Sequence, residues 1–268
     1  MSDLPPSTGS EDRTVGIEAV DGLSFESDGA PIAELAVESL DGLTDRGATV
    51  AELAANRRAW RFGHVIVDEA QDLTPMQWRM IVRRARRGSM TIVGDLAQRS
   101  IGEPGVWPDH LPPSLDDFAY RELTINYRSP AEVNELATGI LAQLAPDLTP
   151  SQAIRSVGRH ARVLEVADLA SSLEQHVRLL RDAVPGGRMV VISVEPWLFV
   201  IDGVQVLTPW QSKGLEFDSV VLVEPAAILE AVGGLSLLYV AITRTTDRLD
   251  IIHQRPLPEV LVQAINET

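Results

Sequence analysis

The sequence predicts an α/β protein built on mostly parallel sheet. Three observations predict it. Short, continuous apolar runs recur along the chain, stretches with helical spacing separate them, and several runs end abruptly in Gly, Asp or Glu. A strand that is apolar on every residue is buried on both faces, and a parallel sheet covered by helices supplies that environment. Strand–helix alternation is the pattern such a sheet requires.

The elements follow in chain order. Pro5, Pro6, Ser7, Gly9, Ser10, Glu11 and Asp12 give residues 1–14 the composition of a disordered tail. In an acidic leader spanning 15–60, Ile32, Leu35 and Ala36, then Val50, Leu53 and Ala54, recur at helical spacing. The breaker region Asp41–Gly47 separates them, so two short helices are expected. From Phe62 onward the alternation begins. His64–Val67 is a buried strand, a helix runs from Pro75 to about Arg86, and Met90–Val93 is a second strand. Leu123 and Thr124 end a third. Pro130 opens a helix to about Leu144, because proline is pre-set for the first helical turn. Strands follow at Arg162–Val166, Met189–Ser193, Val204–Leu207 and Ser219–Val223, with a helix near Leu169–Ala183. Between Pro225 and Thr243 the Gly233-Gly234 break suits two short helices. The second, from Leu235 to about Thr245, leads into a strand at Arg248–His253.

Composition bounds the function. With 268 residues, 45% hydrophobic and 23% charged, the chain has the balance of an ordinary globule of one large domain or two small ones. Acidic residues outnumber basic ones 38 to 23, a net charge of −15, which argues against a mainly electrostatic nucleic-acid coat but allows a local basic groove. Residues 1–56 hold 12 of the acidic residues against two arginines. The absence of cysteine excludes disulfide scaffolds, cysteine zinc sites and thiol nucleophiles, and the five histidines have no metal-ligand spacing. No signal peptide or membrane-spanning stretch stands out, so a cytoplasmic protein is expected. Of the 23 basic residues, Lys213 is the only lysine.

Five segments carry chemistry. Asp68-Glu69-Ala70-Gln71-Asp72 puts two carboxylates at the end of a buried strand, the edge where parallel sheets bind ligands. One carboxylate there can hold Mg²⁺ and the next can activate water against a phosphoryl group; an acidic turn is the plainer reading. Gly94-Asp95…Gln98 ends the next strand with a glutamine able to reach a phosphate. Asn126-Tyr127-Arg128-Ser129 sets an arginine before a helix. Thr208-Pro-Trp210-Gln-Ser-Lys213-Gly214-Leu-Glu216-Phe217 and Tyr239-Val-Ala-Ile-Thr243-Arg244 complete the set. Guanidinium groups can stabilise a transferring phosphoryl group, though either Arg128 or Arg244 alone reads as a surface or ion-pair residue.

Taken in order, the five segments resemble the motor core of superfamily 1 helicases of the UvrD/Rep type, over about residues 62–253. They correspond to the Walker B segment and motifs III, IV, V and VI. The run Asp68–Arg79, Gly94–Gln98 and Thr208–Gln211 are similar to the HelD branch, helicase-like proteins associated with bacterial RNA polymerase. The resemblance implies RecA-like domains, partial over 61–122 and complete over 123–268. It implies ATP and Mg²⁺, with Asp68 holding the metal, Glu69 as general base, Gln98 sensing the γ-phosphate, and Arg128 and Arg244 as arginine fingers. Gly214 and Glu216 would lie near the nucleotide, and Thr208 and Trp210 would face single-stranded DNA.

The phosphate-cradling loop ending in Gly-Lys-Ser/Thr is missing. Only 67 residues precede Asp68 and none is lysine, while Lys213 stands downstream. The first sheet is then a two-strand remnant, which residues 13–27 or a partner would have to patch. Motif III lacks an aromatic after Gln98, with Gly102 near that place. Trp210 is a candidate replacement for base stacking, or a buried tryptophan. Arg79, Arg83, Arg84, Arg86 and Arg87 read as a solvated helix face more than a phosphate track. Two functions are expected from this. One is the C-terminal motor portion of an ATP-dependent helicase, silent alone without a P-loop-bearing chain or segment. The alternative is a non-catalytic module that binds RNA polymerase or another protein.

Overall fold

The computed structural model describes residues 26–27, 30–31, 62–85, 88–100, 102, 104–184 and 186–267. The tail over 1–14, the two helices expected between Ile32 and Ala55, and Arg86 and Arg87 lie outside the described residues. The chain divides into two compact units, residues 1–94 and 95–268. This division carries the Asp95–Gln98 turn with the second unit.

In the first unit, β1 (Glu26–Ser27) and β2 (Ala30–Pro31) pair antiparallel with each other. The part of the expected patch that is described therefore forms a ribbon of its own, and residues 13–25 lie outside the described residues. Strands β3 (Val65–Val67) and β4 (Met90–Ile92) pair in parallel, with Val65 opposite Met90 and Val67 opposite Ile92. Helix α1 (Pro75–Val82) crosses between them. Thr74 starts it through a capping box, its Oγ1 accepting from Gln77 N at 3.3 Å while Gln77 Oε1 accepts from Thr74 N at 2.8 Å. The helix ends at Val82, short of the expected Arg86, and the chain beyond it turns so that Ala85 bridges Phe62, whose N–H donates to Arg84 O at 2.7 Å. Among the described residues of this unit, Val65, Val67, Ala70, Trp78 and Ala85 are the buried apolar ones.

In the second unit, α2 (Trp107–His110) precedes a parallel pair, β5 (Ile125–Asn126) and β6 (Gln152–Ala153), with α3 (Ala131–Leu144) between. Then follow β7 (Arg162–Glu165), α4 (Leu169–Ala183), β8 (Met189–Ile192), β9 (Gln205–Leu207), β10 (Phe217–Val223), α5 (Pro225–Glu230), α6 (Gly234–Thr243), β11 (Thr245–His253) and α7 (Glu259–Glu267). The main sheet has the order β7-β11-β10-β8-β9, and every pairing in it is parallel. The fold is thus α/β with parallel sheets, as the apolar runs require. Helices α3, α6 and α7 bury Val133, Leu136, Ile140, Leu238, Ile242 and Leu261 on one face. Leu173, Val177 and Leu180 of α4 close the other. Alternate residues of β10 serve the two faces: Val220 and Leu222 join the first cluster, Val221 and Val223 the second.

Two contacts fix the helices. A Cβ on Gly139 of α3 would stand 2.7 Å from Ala264 Cβ of α7, so only glycine allows this crossing. On the other face His176 Nε2 lies 2.8 Å from the buried Asp250 Oδ2, which also takes Arg248 Nε at 3.1 Å. No helix among the described residues is long and apolar enough to cross a membrane.

Candidate functional site

The first unit presents the carboxylate pair. Strand β3 ends at Val67, so Asp68 and Glu69 emerge at its carboxyl edge. Asp68 is exposed and its Oδ1 accepts from Glu69 N at 2.9 Å. That contact helps hold Glu69 in the left-handed region, φ 50° and ψ 37°, at a cost of about 1–2 kcal/mol for a residue with a Cβ. The turn is tied to the sheet by Ala70 N, which donates to Val93 O at 3.1 Å. Glu69 Oε2 accepts from the Nε2 of buried Gln71 at 2.6 Å. The left-handed bend and the Gln71 contact together fix the Glu69 carboxylate beside an exposed Asp68. Gln71 was part of the motif without a role; the structure makes it the orienting group of Glu69. Among the described residues no cluster of three or more His, Asp or Glu is placed to hold a metal, so a cation here would rest on Asp68 and on ligands from elsewhere.

The second unit gathers four of the other site residues into two pairs. Arg244 caps α6 at the amino end of β11 and is 2% exposed. Its Nε donates to Val240 O at 3.1 Å, its Nη1 to Leu215 O at 3.5 Å, and its Nη2 to Thr243 Oγ1 at 3.2 Å and Gln98 Oε1 at 2.9 Å. Gln98 in turn donates from Nε2 to Asp95 Oδ2 at 2.8 Å, and Asp95 Oδ1 caps the turn by accepting from Ala97 N at 2.9 Å. A buried cation is thus joined to an anion through one carboxamide, an arrangement of charge-assisted hydrogen bonds. Burial pushes the neighbouring Tyr239 phenol well above its ordinary pKa; the Asp95 charge adds to this and Arg244 opposes it.

Arg128 and Glu216 form the second pair, an ion pair from Arg128 Nε to Glu216 Oε1, with both side chains partly exposed. Asn126 builds the turn that presents Arg128: its Oδ1 accepts from Arg128 N at 2.9 Å and Ser129 N at 3.1 Å, and its Nδ2 donates to Asn134 Oδ1 at 2.9 Å. Arg155 Nη2 donates to Arg128 O at 2.6 Å. Glu216 precedes β10, and Gly214 makes the turn into it at φ 70°.

Thr208 and Trp210 stand apart from these pairs, at the carboxyl end of β9, whereas Glu216 and Arg244 stand at the amino ends of β10 and β11. Thr208 Oγ1 accepts from Gln211 N at 3.2 Å and Gln211 Oε1 accepts from Thr208 N at 2.9 Å, so the threonine first serves its own loop. Trp210 is 39% exposed, which decides against the buried reading. The segment 208–216 therefore runs from one edge of the sheet to the other. Two residues without an assigned role, Lys213 and Ser236, also reach the Asp95–Ser100 segment.

Residues 32–101 match the UvrD/REP helicase N-terminal domain. That match takes in both the Asp68–Asp72 and the Gly94–Gln98 segments and begins within the acidic leader. The chain is also similar to the DNA helicase II of Haemophilus influenzae, 32% identical over 93 residues, which is 34% of this chain and 13% of that protein. It thus spans a small part of the length of this curated relative. Among solved structures it is similar to the C-terminal domain of a possible DNA helicase from Lactobacillus plantarum WCFS1, at 15% identity and a TM-score of 0.38, covering 52% of this chain and 94% of that one. An arterivirus nonstructural protein 10 (helicase) gives 18% identity and a TM-score of 0.44 over 75% of this chain and 41% of that one.

Proposed function

We propose that the chain is the C-terminal motor portion of an ATP-dependent, UvrD-type superfamily 1 DNA helicase, of the HelD-like branch. The observation that carries this is the Gln98–Arg244 hydrogen bond. Two residues that the motifs assign to the γ-phosphate, 146 positions apart, meet at 2.9 Å. The UvrD/REP match over residues 32–101 supports it independently.

In this reading MgATP, when bound, supplies the phosphoanhydride whose cleavage drives the motor. Asp68 would hold the metal, and Glu69, oriented by Gln71, would take a proton from the attacking water. Gln98 and Arg244 would meet the terminal phosphate, Arg244 as a guanidinium donor. Arg128 would be a second cationic donor, and Glu216 would serve the ribose. Thr208 and Trp210 face single-stranded DNA at the opposite sheet edge, by hydroxyl contact and by base stacking. The sole lysine is engaged elsewhere, so turnover requires a P-loop supplied by another chain or segment.

A steady-state ATPase assay on the purified chain tests this, with no turnover expected. Hydrolysis that Glu69→Gln abolishes would overturn the predicted silence. A second reading, a non-catalytic module that binds RNA polymerase, is favoured by the acidic residues 1–56. Retention of the chain on core RNA polymerase at near-physiological salt, with no nucleotide binding, would select it over the motor.

A further inference from the structure

The backbone of the segment after Asp95 is held from outside itself at successive carbonyls. Lys213 Nζ donates to Gln98 O and, at 2.6 Å, to Ser100 Oγ. The Oγ of Ser236, a residue only 5% exposed in α6, lies 2.8 Å from Ala97 O and 2.7 Å from Arg99 O, its one proton shared between them. Gly233, at φ 77°, brings the start of α6 so near that a Cβ there would stand 2.8 Å from Ser100 O. The carbonyls of Ala97, Gln98, Arg99 and Ser100 thus face a serine, a lysine, the same serine and a glycine. This is more restraint than a short 3₁₀ turn needs, and it falls on the segment from which the Gln98 side chain meets Arg244.

We propose that Lys213 and Ser236 are positioning residues: they clamp the 97–100 backbone so that the Gln98 carboxamide is fixed between Asp95 and Arg244. This rests on the reading of Gln98 and Arg244 as the phosphate-facing pair. The physical case is geometric. Gln98 has three side-chain torsions, and fixing a flexible side chain costs about 1.5–2 kcal/mol of rotamer entropy. A backbone that could also swing would leave the Oε1–Nη2 contact without a defined direction. Lys213 lies between Trp210 at one edge of the sheet and Glu216 at the other, so the clamp also ties the segment proposed to meet DNA to the segment proposed to meet phosphate. A charged donor suits this task because hydrogen bonds to ionised groups are the stronger ones.

The test uses the whole chain with Lys213→Met, Lys213→Arg and Ser236→Ala. Amide hydrogen exchange over 95–100 should quicken by about tenfold in Lys213→Met and Ser236→Ala, while β8, β10 and β11 stay as slow as in the parent. The Gln98 side-chain amide resonance in a ¹H–¹⁵N spectrum should move toward the free-glutamine position in Lys213→Met and return in Lys213→Arg. Quickened exchange with an unmoved Gln98 resonance would overturn the proposal, since it would make the lysine merely structural. So would unchanged exchange and resonance. Fluorescence anisotropy of mant-ATP and mant-ADP separates this from the motor reading. Failure of the parent to bind either nucleotide at millimolar concentration counts against ATP at this site and leaves the clamp to stand or fall on the resonance.

Discussion

Two of the parallel sheets, the β3–β4 pair and the five-stranded sheet, hold their candidate site residues on very different supports. In the first unit β3 and β4 have three residues each, and only Val65 and Val67 are buried while Met90 and Ile92 are half-covered and Thr91 is exposed. In the second, six of the seven residues of β10 are buried between two strand neighbours and two helical layers. A two-stranded pair is marginal by itself. The carboxylates of the weaker sheet are accordingly fixed by local devices, the Glu69 bend and the Gln71 contact. Arg244 is placed by the larger scaffold, where α6 runs into β11, whereas Arg128 follows the separate β5–β6 pair and is presented by the Asn126 turn. Precision at a site can come from a rigid scaffold or from a short-range trap, and this chain uses both.

The largest effect should come from the strong sheet. Leu222→Ala, in the middle of β10 and fully buried, should cost about 2–5 kcal/mol in denaturant unfolding of the second unit. The half-covered Ile92→Ala should cost roughly 1–2 kcal/mol, and an equal loss at both positions would break the contrast. Next is Glu132 at the start of α3. Burial raises its pKa, but hydrogen bonds from Ser156 Oγ at 2.5 Å, Val157 N at 3.3 Å and Gly158 N at 2.5 Å outweigh this and bring it down to about 2. A depressed carboxylate stabilises fully above its ordinary pKa of 4.5, and that contribution is lost as the pH falls toward 2. Glu132→Gln should cost about 1–3 kcal/mol at neutral pH and flatten the acid limb of stability against pH.

Smaller still, Glu69→Gly should stabilise the chain by up to about 1 kcal/mol, because glycine accepts the left-handed backbone, even as it removes the proposed base. A loss of stability would show that the Gln71 contact is worth more than the strain. The smallest effect is at the partly exposed ion pair: Arg128→Ala should change stability by less than about 1 kcal/mol, and 0.5 M salt should erase the difference.

Sequence periodicity reached both units: β3, α1 and β4 of the first lie where His64–Val67, the stretch from Pro75 and Met90–Val93 predicted them. Helix α4 begins and ends where Leu169 and Ala183 predicted, because its apolar residues recur cleanly and Asp168 caps it, the Oδ1 accepting from Ser171 N at 3.4 Å. Helix α7 was missed: it is short, and its apolar Val260, Leu261 and Ala264 read as a helix only once Gly139 supplies a place for them. Strand β6 has two residues, too few for any period to register. At the site, residue types and order single out the segments, but the meeting of Gln98 with Arg244 is a property of tertiary structure. So is the left-handed Glu69, since glutamate gives no local hint of that conformation. Lys213 stood out only by being the sole lysine; what it grips could not be read from its neighbours in sequence.

The strand order of the main sheet has a kinetic consequence. Strand β7 sits at one edge and pairs with β11 alone, Val163 against Ile251, while β11 also takes its place beside β10. Nothing in the sheet can receive β7 until the far end of the chain has arrived, and the entropy of closing that long loop must be met before any of its hydrogen bonds form. Folding of this unit should therefore be slow and cooperative, with the β7 edge among the last parts to become protected from exchange.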